Sequence, residues 1–184
     1  MGWESMHLLI LADIDDLHWR AESGHVDLVI ACGDTADSLI LEAAAAFGCT
    51  NIFAVKGNHD SPAPFPKPII DLDLQIETFG DLTFGGLSGS WKYKPTGHFL
   101  YEQDEVQEML AGFPRVDVFV SHNSPLGIHD KPDDVHTGFA ALTEYFHRHH
   151  PRLLIHGHQH QNVETQLKKT RVLGVYGHRL LELE

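Results

Sequence analysis

Cysteine is almost absent from this chain, which contains two among 184 residues. Cys32 and Cys49 are too few for a disulfide framework and lack the close spacing of a zinc site. The low count favours a reducing compartment. Cys32 ends an apolar run, so we interpret it as a small core residue rather than a nucleophile.

Basic residues are scarce as well. Lysine and arginine total 13 against 26 aspartates and glutamates, which gives a formal net charge of -13. This balance argues against tight binding to nucleic acid or to an acidic membrane surface. An anionic substrate is still compatible with it, because a local cluster of carboxylates can hold divalent cations that attract phosphate.

Long apolar runs are missing too, so the sequence predicts no membrane span and no membrane partner. Residues 1–6 show neither the basic region nor the apolar stretch of a signal peptide. Met6 also occupies the position at which a myristoylation motif requires serine or threonine. We therefore expect a cytoplasmic protein, and the length of 184 residues suits one domain that spans residues 1–184.

The first third of the chain alternates short apolar runs with a helical pattern. The stretch 37–47 is rich in alanine and leucine and predicts a helix, with Asp37 or Ser38 as its N-cap. Buried strands are predicted at 7–12, 26–31 and 51–55. Strand, helix and strand joined by short connections are typical of an α/β fold.

The remainder of the chain adds further strands, two helices and three loops. Alternating residues predict an antiparallel pair at 72–79 and 82–87, and a hairpin at 163–167 and 172–176. Other strands are expected at 116–120, 153–155 and 180–183, and helices at 103–110 and 139–149. Loops are expected at the proline-rich stretch 61–68, the glycine-rich stretch 85–97 and the polar stretch 123–137.

Five polar groups each follow one of the apolar runs. They are Asp13-Ile14-Asp15, Gly33-Asp34, Gly57-Asn58-His59-Asp60, His122, and Gly157-His158-Gln159-His160. The carboxyl ends of strands in α/β sheets are where sites form, so we expect these groups to lie together. Carboxylates, imidazoles and carboxamides are metal ligands, and the set therefore predicts a metal site.

The order of these groups resembles the calcineurin-like metallophosphoesterase family. The family pattern is Asp-x-His, Gly-Asp, Gly-Asn-His-Asp or Gly-Asn-His-Glu, a lone His, and Gly-His-x-His. The match runs from Asp13 to His160, and the later motifs are the more specific. The resemblance implies a four-layer αββα sandwich, with two mixed β-sheets flanked by helices and the metal site at the carboxyl ends of strands.

The resemblance also implies the ligands of two metal ions. One ion would be held by Asp13, Asp15, Asp34 and His160, and the other by Asp34, Asn58, His122 and His158. Asp34 would bridge the ions, which would share a hydroxide that attacks phosphorus in line with the leaving oxygen. His59 would give a proton to the leaving oxygen, with Asp60 orienting it.

Asp15 stands where the family normally has histidine. A third carboxylate makes the first site harder and more anionic, which favours Mn²⁺ or Mg²⁺ over Zn²⁺. We expect two divalent ions and favour Mn²⁺, with iron, Mg²⁺ and Zn²⁺ as alternatives. Asp16 and His18 are alternative sources of this ligand.

The expected substrate is a small phosphorylated molecule, for example a nucleotide. Protein phosphatases of this superfamily carry an arginine shortly after Gly-Asp, and none follows Gly33-Asp34 here. We favour a phosphodiester over a phosphomonoester. Two loop segments could line the pocket or be ordinary surface: Trp91, Lys92, Tyr93 and Lys94 in one, and His129, Lys131 and His136 in the other.

Two other functional classes fit the same residues less well. A non-catalytic scaffold or binding protein could keep the fold, although scaffolds usually lose ligands or the acid histidine, and this chain retains His59. A metal-dependent hydrolase of another bond is the remaining alternative. The sequence leaves a homodimer open.

Asp15 generates a direct prediction. The variant Asp15→His should keep activity but shift metal preference from Mn²⁺ towards Zn²⁺, because imidazole is the softer ligand. Metal content by elemental analysis and activity with each ion would measure the shift. Unchanged metal content and preference in Asp15→His would contradict its assignment as a ligand.

Overall fold

The computed structural model describes residues 5–14 and 24–184, which form thirteen strands and three helices. The strands are β1 Met6–Ala12, β2 Leu28–Cys32, β3 Ile52–Val55, β4 Ile70–Asp71, β5 Ile76–Phe79, β6 Leu82–Leu87, β7 Ser90–Trp91, β8 Leu100–Tyr101, β9 Val118–Ser121, β10 Leu153–His156, β11 Val163–Leu167, β12 Thr170–Gly174 and β13 Gly177–Leu183. The helices are α1 Asp37–Ala46, α2 Gln103–Leu110 and α3 Ala140–His149.

The strands form two mixed sheets and a small parallel pair. The first sheet has the order β13-β1-β2-β3-β4, in which only β13 is antiparallel to its neighbour. The second has the order β11-β12-β10-β9-β6-β5, with antiparallel pairs at both edges and parallel strands between them. β7 and β8 form the separate parallel pair.

The central strands are buried on both faces, which explains why they appear as continuous apolar runs. Along β1, Leu8 and Ile10 pack between the two sheets, whereas Leu9 and Leu11 pack on the other side with residues of α1. Successive side chains of a strand point to opposite faces, so one run serves two cores.

Helices cover the outer faces of both sheets. α1 packs on the first sheet, while α2 and α3 share a third core with β9, β10 and β12 of the second. The layers are therefore helix, sheet, sheet and helix. The predicted four-layer αββα sandwich of two mixed sheets is confirmed.

Several local predictions were wrong. Asp37 is the first residue of α1 rather than its cap, because Ala36 occupies the N-cap position. The Asp37 carboxylate instead accepts a hydrogen bond from Lys56 Nζ at 3.1 Å. The glycine-rich stretch is not one loop, since its beginning belongs to β6 and β7 pairs with β8.

The helices of residues 5–14 and 24–184 are short, and none combines the length and the apolarity that crossing a bilayer requires.

The third core, between the second sheet and helices α2 and α3, contains a tyrosine whose hydroxyl satisfies two backbone groups. Tyr145 donates to the carbonyl of Pro114 at 2.8 Å and accepts from the amide of Val116 at 3.1 Å. The side chain is almost fully buried, so water cannot replace either bond. The hydroxyl therefore ties α3 to the segment that enters β9.

Tyr145→Phe should lower the free energy of unfolding by about 1–3 kcal/mol, because both backbone partners would be left unsatisfied in the core. Urea denaturation would measure the change. Tyr101→Phe is the matched control, since the structure shows no hydrogen bond from that hydroxyl to a described residue. An equal effect of the two substitutions would contradict the role given to Tyr145.

Candidate metal centre

The candidate ligands come from strands of both sheets. Asp13, Asp34 and Asn58 follow β1, β2 and β3 of the first sheet, whereas His122 and His158 follow β9 and β10 of the second. The strands β1–β3 run parallel, as do β9 and β10, so their carboxyl ends meet at common edges. The site consequently lies where the two sheets converge.

Three buried side chains form the centre of the cluster. One donor atom from each of Asp13, Asp34 and His122 lies within 4.8 Å of the others, and all three side chains are buried. Asp13 Oδ1 is buried and accepts no hydrogen bond from the described residues. A buried carboxylate oxygen without a partner is costly unless a cation neutralises it. The donor set fits a divalent ion.

The tautomer of His122 supports the same interpretation. Its Nδ1 lies 2.8 Å from the carbonyl oxygen of Cys32, so Nδ1 carries the proton and donates it. In the neutral ring Nε2 then has a lone pair, yet it lies 3.1 Å from Asn58 Oδ1 and 3.4 Å from Asp34 Oδ2. A proton or a metal ion between these atoms would resolve the repulsion.

Without a metal, the proton is the available cation. Burial alone would lower the pKa of His122, but the charge of Asp34 outweighs it and raises the pKa to about 9. A metal ion at the same place would displace this proton, because a ligating imidazole must be neutral on that nitrogen.

Asp34 is held as an anion. Its Oδ1 accepts the backbone N–H of His59 at 2.8 Å, and its Oδ2 faces His122. Burial favours the neutral acid, but the charge and hydrogen bond of His122, together with the His59 amide, keep the pKa of Asp34 well below its ordinary value. Asp34 is therefore available as a carboxylate ligand throughout the neutral pH range.

The two histidines of the last motif differ in environment. The backbone N–H of His158 donates to Asp13 Oδ2 at 2.8 Å, and its ring Nε2 lies 3.1 Å from the carbonyl oxygen of Val135. Burial lowers the pKa of His158 to about 3, so its ring is neutral and Nδ1 keeps a lone pair. His160 is half exposed, and its interaction with Asp13 at 3.5 Å raises its pKa.

The backbone is unusual at four of these residues. Asp13, Asp34, His158 and His160 have φ angles of 54°, 50°, 63° and 48°. Residues other than glycine rarely adopt this left-handed conformation, and such outliers cluster at functional sites. The surrounding hydrogen bonds hold these residues in a conformation that brings their side chains together.

Glycines of the motifs leave space for the ligands. A Cβ atom on Gly57 would overlap Asp34 Oδ1, and one on Gly33 would lie 2.6 Å from His122 Nδ1. Gly33 also has a φ of 90°. Gly33 and Gly57, which precede the candidate ligands Asp34 and Asn58, are therefore required by the close packing of other motifs against their backbone.

The structure brings together six of the seven predicted ligands. They are Asp13, Asp34, Asn58, His122, His158 and His160. Asp15 lies outside the described residues, as do its alternatives Asp16 and His18.

His59 and Asp60, predicted as the proton donor and its orienting residue, make different contacts. His59 stands at the edge of the centre, with its side chain 52% exposed and Nδ1 3.7 Å from Asp34 Oδ2. Asp60 Oδ2 accepts the backbone N–H groups of Gly57 at 2.7 Å and Asp34 at 2.9 Å. Asp60 thus joins two ligand loops. Its role in orienting His59 stays a prediction.

Two loop residues that the sequence indicated only weakly also border the centre. The hydroxyl of Tyr93 lies 3.2 Å from Asn58 Nδ2. The ring of His136 lies 5.4 Å from that of His158, and its Nδ1 is 2.9 Å from Asp133. Asp133 precedes His136 by three residues, and this spacing was the one available signal for the pair.

Comparisons with known proteins agree with this geometry. The family model of the calcineurin-like phosphoesterase superfamily domain matches residues 6–175. No curated protein matches the chain in sequence.

Solved structures similar to this chain share its fold at low sequence identity. TT1561 from Thermus thermophilus is 13% identical with a TM-score of 0.65, covering 95% of this chain and 90% of its own. A phosphopantetheinyl hydrolase from Mycobacterium tuberculosis is 14% identical with a TM-score of 0.62, covering 92% and 89%. Vps29 from Entamoeba histolytica, solved with Zn²⁺, is 13% identical with a TM-score of 0.50, covering 94% and 74%. The predicted fold family is confirmed.

The close contact at Gly57 yields a prediction. Gly57→Ala should weaken Mn²⁺ binding by at least about tenfold, because the added methyl group would displace the Asp34 carboxylate. Calorimetric titration of metal-free protein would measure the loss. Gly112→Ala is the matched control, since a Cβ atom there meets nothing within 4 Å. Wild-type metal affinity in Gly57→Ala would contradict the placement of Asp34 in the centre.

Proposed function

The chain belongs to the calcineurin-like phosphoesterase superfamily, and we propose that it hydrolyses a small phosphodiester with the help of two divalent metal ions. The observation that carries this proposal is the buried cluster of Asp13, Asp34 and His122, in which one carboxylate oxygen accepts no hydrogen bond from the described residues. Such a cluster fits cation binding better than a purely structural role.

Metal binding would divide the ligands as the family resemblance implies. Asp34 would bridge two ions, with Asp13, Asp15 and His160 on one and Asn58, His122 and His158 on the other. Mn²⁺ is the ion that we favour, because the first set is rich in carboxylates. When bound, the ions supply water of lowered pKa and neutralise charge on the phosphoryl oxygens.

The residues around the centre would position the reacting groups. His59 is anchored through its backbone N–H to Asp34, while its half-exposed ring can reach a leaving oxygen. A proton from this ring would stabilise a departing alkoxide, which is a poor leaving group without one. Asp60 would act through the backbone, since its carboxylate holds the Gly57 and Asp34 amides in place.

Several features support a small substrate over a macromolecule. The net charge of -13 opposes tight binding of nucleic acid, and no arginine stands shortly after Gly33-Asp34. The fold neighbours from Entamoeba histolytica and Mycobacterium tuberculosis are only 13% and 14% identical to the chain and therefore share its fold alone, so the fold does not decide between enzyme and scaffold. Retention of His59 favours the enzyme. A cytoplasmic location, a single domain and a homodimer stay predictions.

The proposal predicts turnover of bis-p-nitrophenyl phosphate with added Mn²⁺, faster than that of p-nitrophenyl phosphate. Release of p-nitrophenolate measures both rates. Protein that binds metal but turns over neither compound with Mn²⁺, Mg²⁺, Zn²⁺ or iron would favour the scaffold. A preference for the monoester would contradict the diester assignment.

The acid histidine provides the internal control for this experiment. His59→Asn should slow hydrolysis of an alkyl phosphodiester by about 10²–10⁴-fold, because the alkoxide then leaves without a proton. The p-nitrophenyl esters should be affected far less, since p-nitrophenolate is a stable anion. Equal losses for both leaving groups would remove His59 as the proton donor.

A further inference from the structure

The segment between β7 and β8 places a hydroxyl proton beside the candidate centre. Tyr93 Oη lies 3.2 Å from Asn58 Nδ2. The amide of Asn58 is oriented by its other end, because Oδ1 faces His122. An amide nitrogen can only donate, so the tyrosine oxygen accepts this bond. The proton of Tyr93 is therefore left for another acceptor.

The acceptor that suits this proton is an anionic oxygen of the substrate. Asn58 belongs to the ligand set, so the Tyr93 hydroxyl is one hydrogen bond away from a proposed ligand. A hydroxyl that donates to a phosphoryl oxygen forms a charge-assisted bond, which is stronger than a neutral one. The main chain at Tyr93 is constrained, because Tyr93 N donates to the Trp91 carbonyl at 3.0 Å in a tight turn.

A lysine lies next to this tyrosine and is not neutralised by the described carboxylates. Lys94 Nζ stands 5.1 Å from the centre of the Tyr93 ring, and the residue is exposed. No carboxylate of residues 5–14 and 24–184 forms an ion pair with it. Lys92, two residues earlier, is paired with Glu102 at 3.3 Å. Residues 91–98 contain no acidic residue, which is notable in a chain with net charge -13.

We propose that Tyr93 donates a hydrogen bond to the phosphoryl group undergoing hydrolysis and that Lys94 binds a second anionic group of the same substrate. This inference rests on the proposed function and deepens it by naming the substrate class. The preferred substrates are small phosphodiesters that carry a further phosphate or carboxylate. The ammonium group of Lys94 selects substrates that carry the second anion, and the hydroxyl of Tyr93 aligns the phosphoryl group.

Two chromogenic diesters that differ by one phosphate test the proposal. Thymidine 5′-(p-nitrophenyl phosphate) has the diester alone, and its 3′-phosphorylated counterpart carries the second anion. With Mn²⁺-loaded protein, the 3′-phosphorylated compound should show a KM lower by roughly 3–10-fold, as expected for one exposed charge pair. Lys94→Met should abolish this preference, while Lys92→Met, the matched control, should keep it.

The tyrosine is tested separately. Tyr93→Phe should lower kcat/KM for both compounds by roughly tenfold or more, because a hydrogen bond to a charged group is lost. Its metal content should equal that of the wild type, and Tyr101→Phe should behave like the wild type. Unchanged kcat/KM in Tyr93→Phe, or a loss of bound metal, would overturn the role of Tyr93. Equal KM values for the two compounds in the wild type would overturn the role of Lys94.

Failure of the proposed function would give a different result. The wild type would then cleave neither compound with any of the metals. In that case calorimetric titration with the same two uncleaved compounds decides the inference. Tighter binding of the 3′-phosphorylated compound that disappears in Lys94→Met would support the lysine site without catalysis. Equal affinities would overturn it.

Discussion

Two carboxylates buried beside each other dominate the architecture of the centre. Asp13 and Asp34 are almost fully buried at the junction of the two sheets, where like charges repel and solvent cannot screen them. Backbone N–H groups of His158 and His59 donate to one oxygen of each. One oxygen of each carboxylate is thus held by a backbone N–H group, whereas the other faces an imidazole, that of His160 for Asp13 and that of His122 for Asp34. A cation bound among these atoms would complete the arrangement.

Metal binding and stability are coupled through this arrangement. A cation that binds the folded centre and not the unfolded chain raises the free energy of unfolding by mass action. In its absence, the proton on His122 compensates part of the charge, since Asp34 holds the pKa of that ring at about 9. A metal ion that binds His122 would therefore have to displace this proton.

Each sheet contributes a different kind of candidate ligand. The first supplies the oxygen atoms of Asp13, Asp34 and Asn58, and the second supplies the imidazoles of His122 and His158. Their relative placement depends on the apolar layer between the sheets, in which Ile10 and Ile155 are fully buried. Close packing in that layer limits how far the oxygen and nitrogen ligands can move apart. The packing of the core between the sheets thus determines the distances between the oxygen and nitrogen donors of the site.

The sequence was sufficient to locate the ligand motifs and most strands, because apolar runs followed by polar groups are local patterns. It was insufficient wherever a contact joins distant segments. β13 was expected as a last strand, but nothing local indicated that it pairs with β1 of the first sheet. Asp60 was expected to orient His59, and nothing local indicated that its carboxylate accepts backbone amides of two loops. Both contacts join segments that are far apart in the sequence, so they depend on tertiary packing.

A chain of hydrogen bonds through His156 and His129 holds the loop that sets the tautomer of His158. His156 Nδ1 lies 3.0 Å from the Gly157 carbonyl, so it donates there and its Nε2 accepts from His129 Nδ1 at 2.9 Å. His129 Nε2 can then only accept, from Thr165 Oγ1 at 2.8 Å. Burial lowers the pKa of both rings, to about 3 for His156, so each ring is neutral and the direction of the chain is fixed.

This chain of hydrogen bonds fastens the loop after β9 to strands β10 and β11. The same loop carries Val135, whose carbonyl accepts from His158 Nε2 at 3.1 Å. With the proton held on Nε2, the lone pair of His158 is on Nδ1 before any metal arrives. A ligand prepared in this way needs no proton transfer on binding, in contrast to His122. The fold thus holds one imidazole of the candidate centre in the tautomer that metal binding would require, whereas the other would have to exchange a proton for the ion.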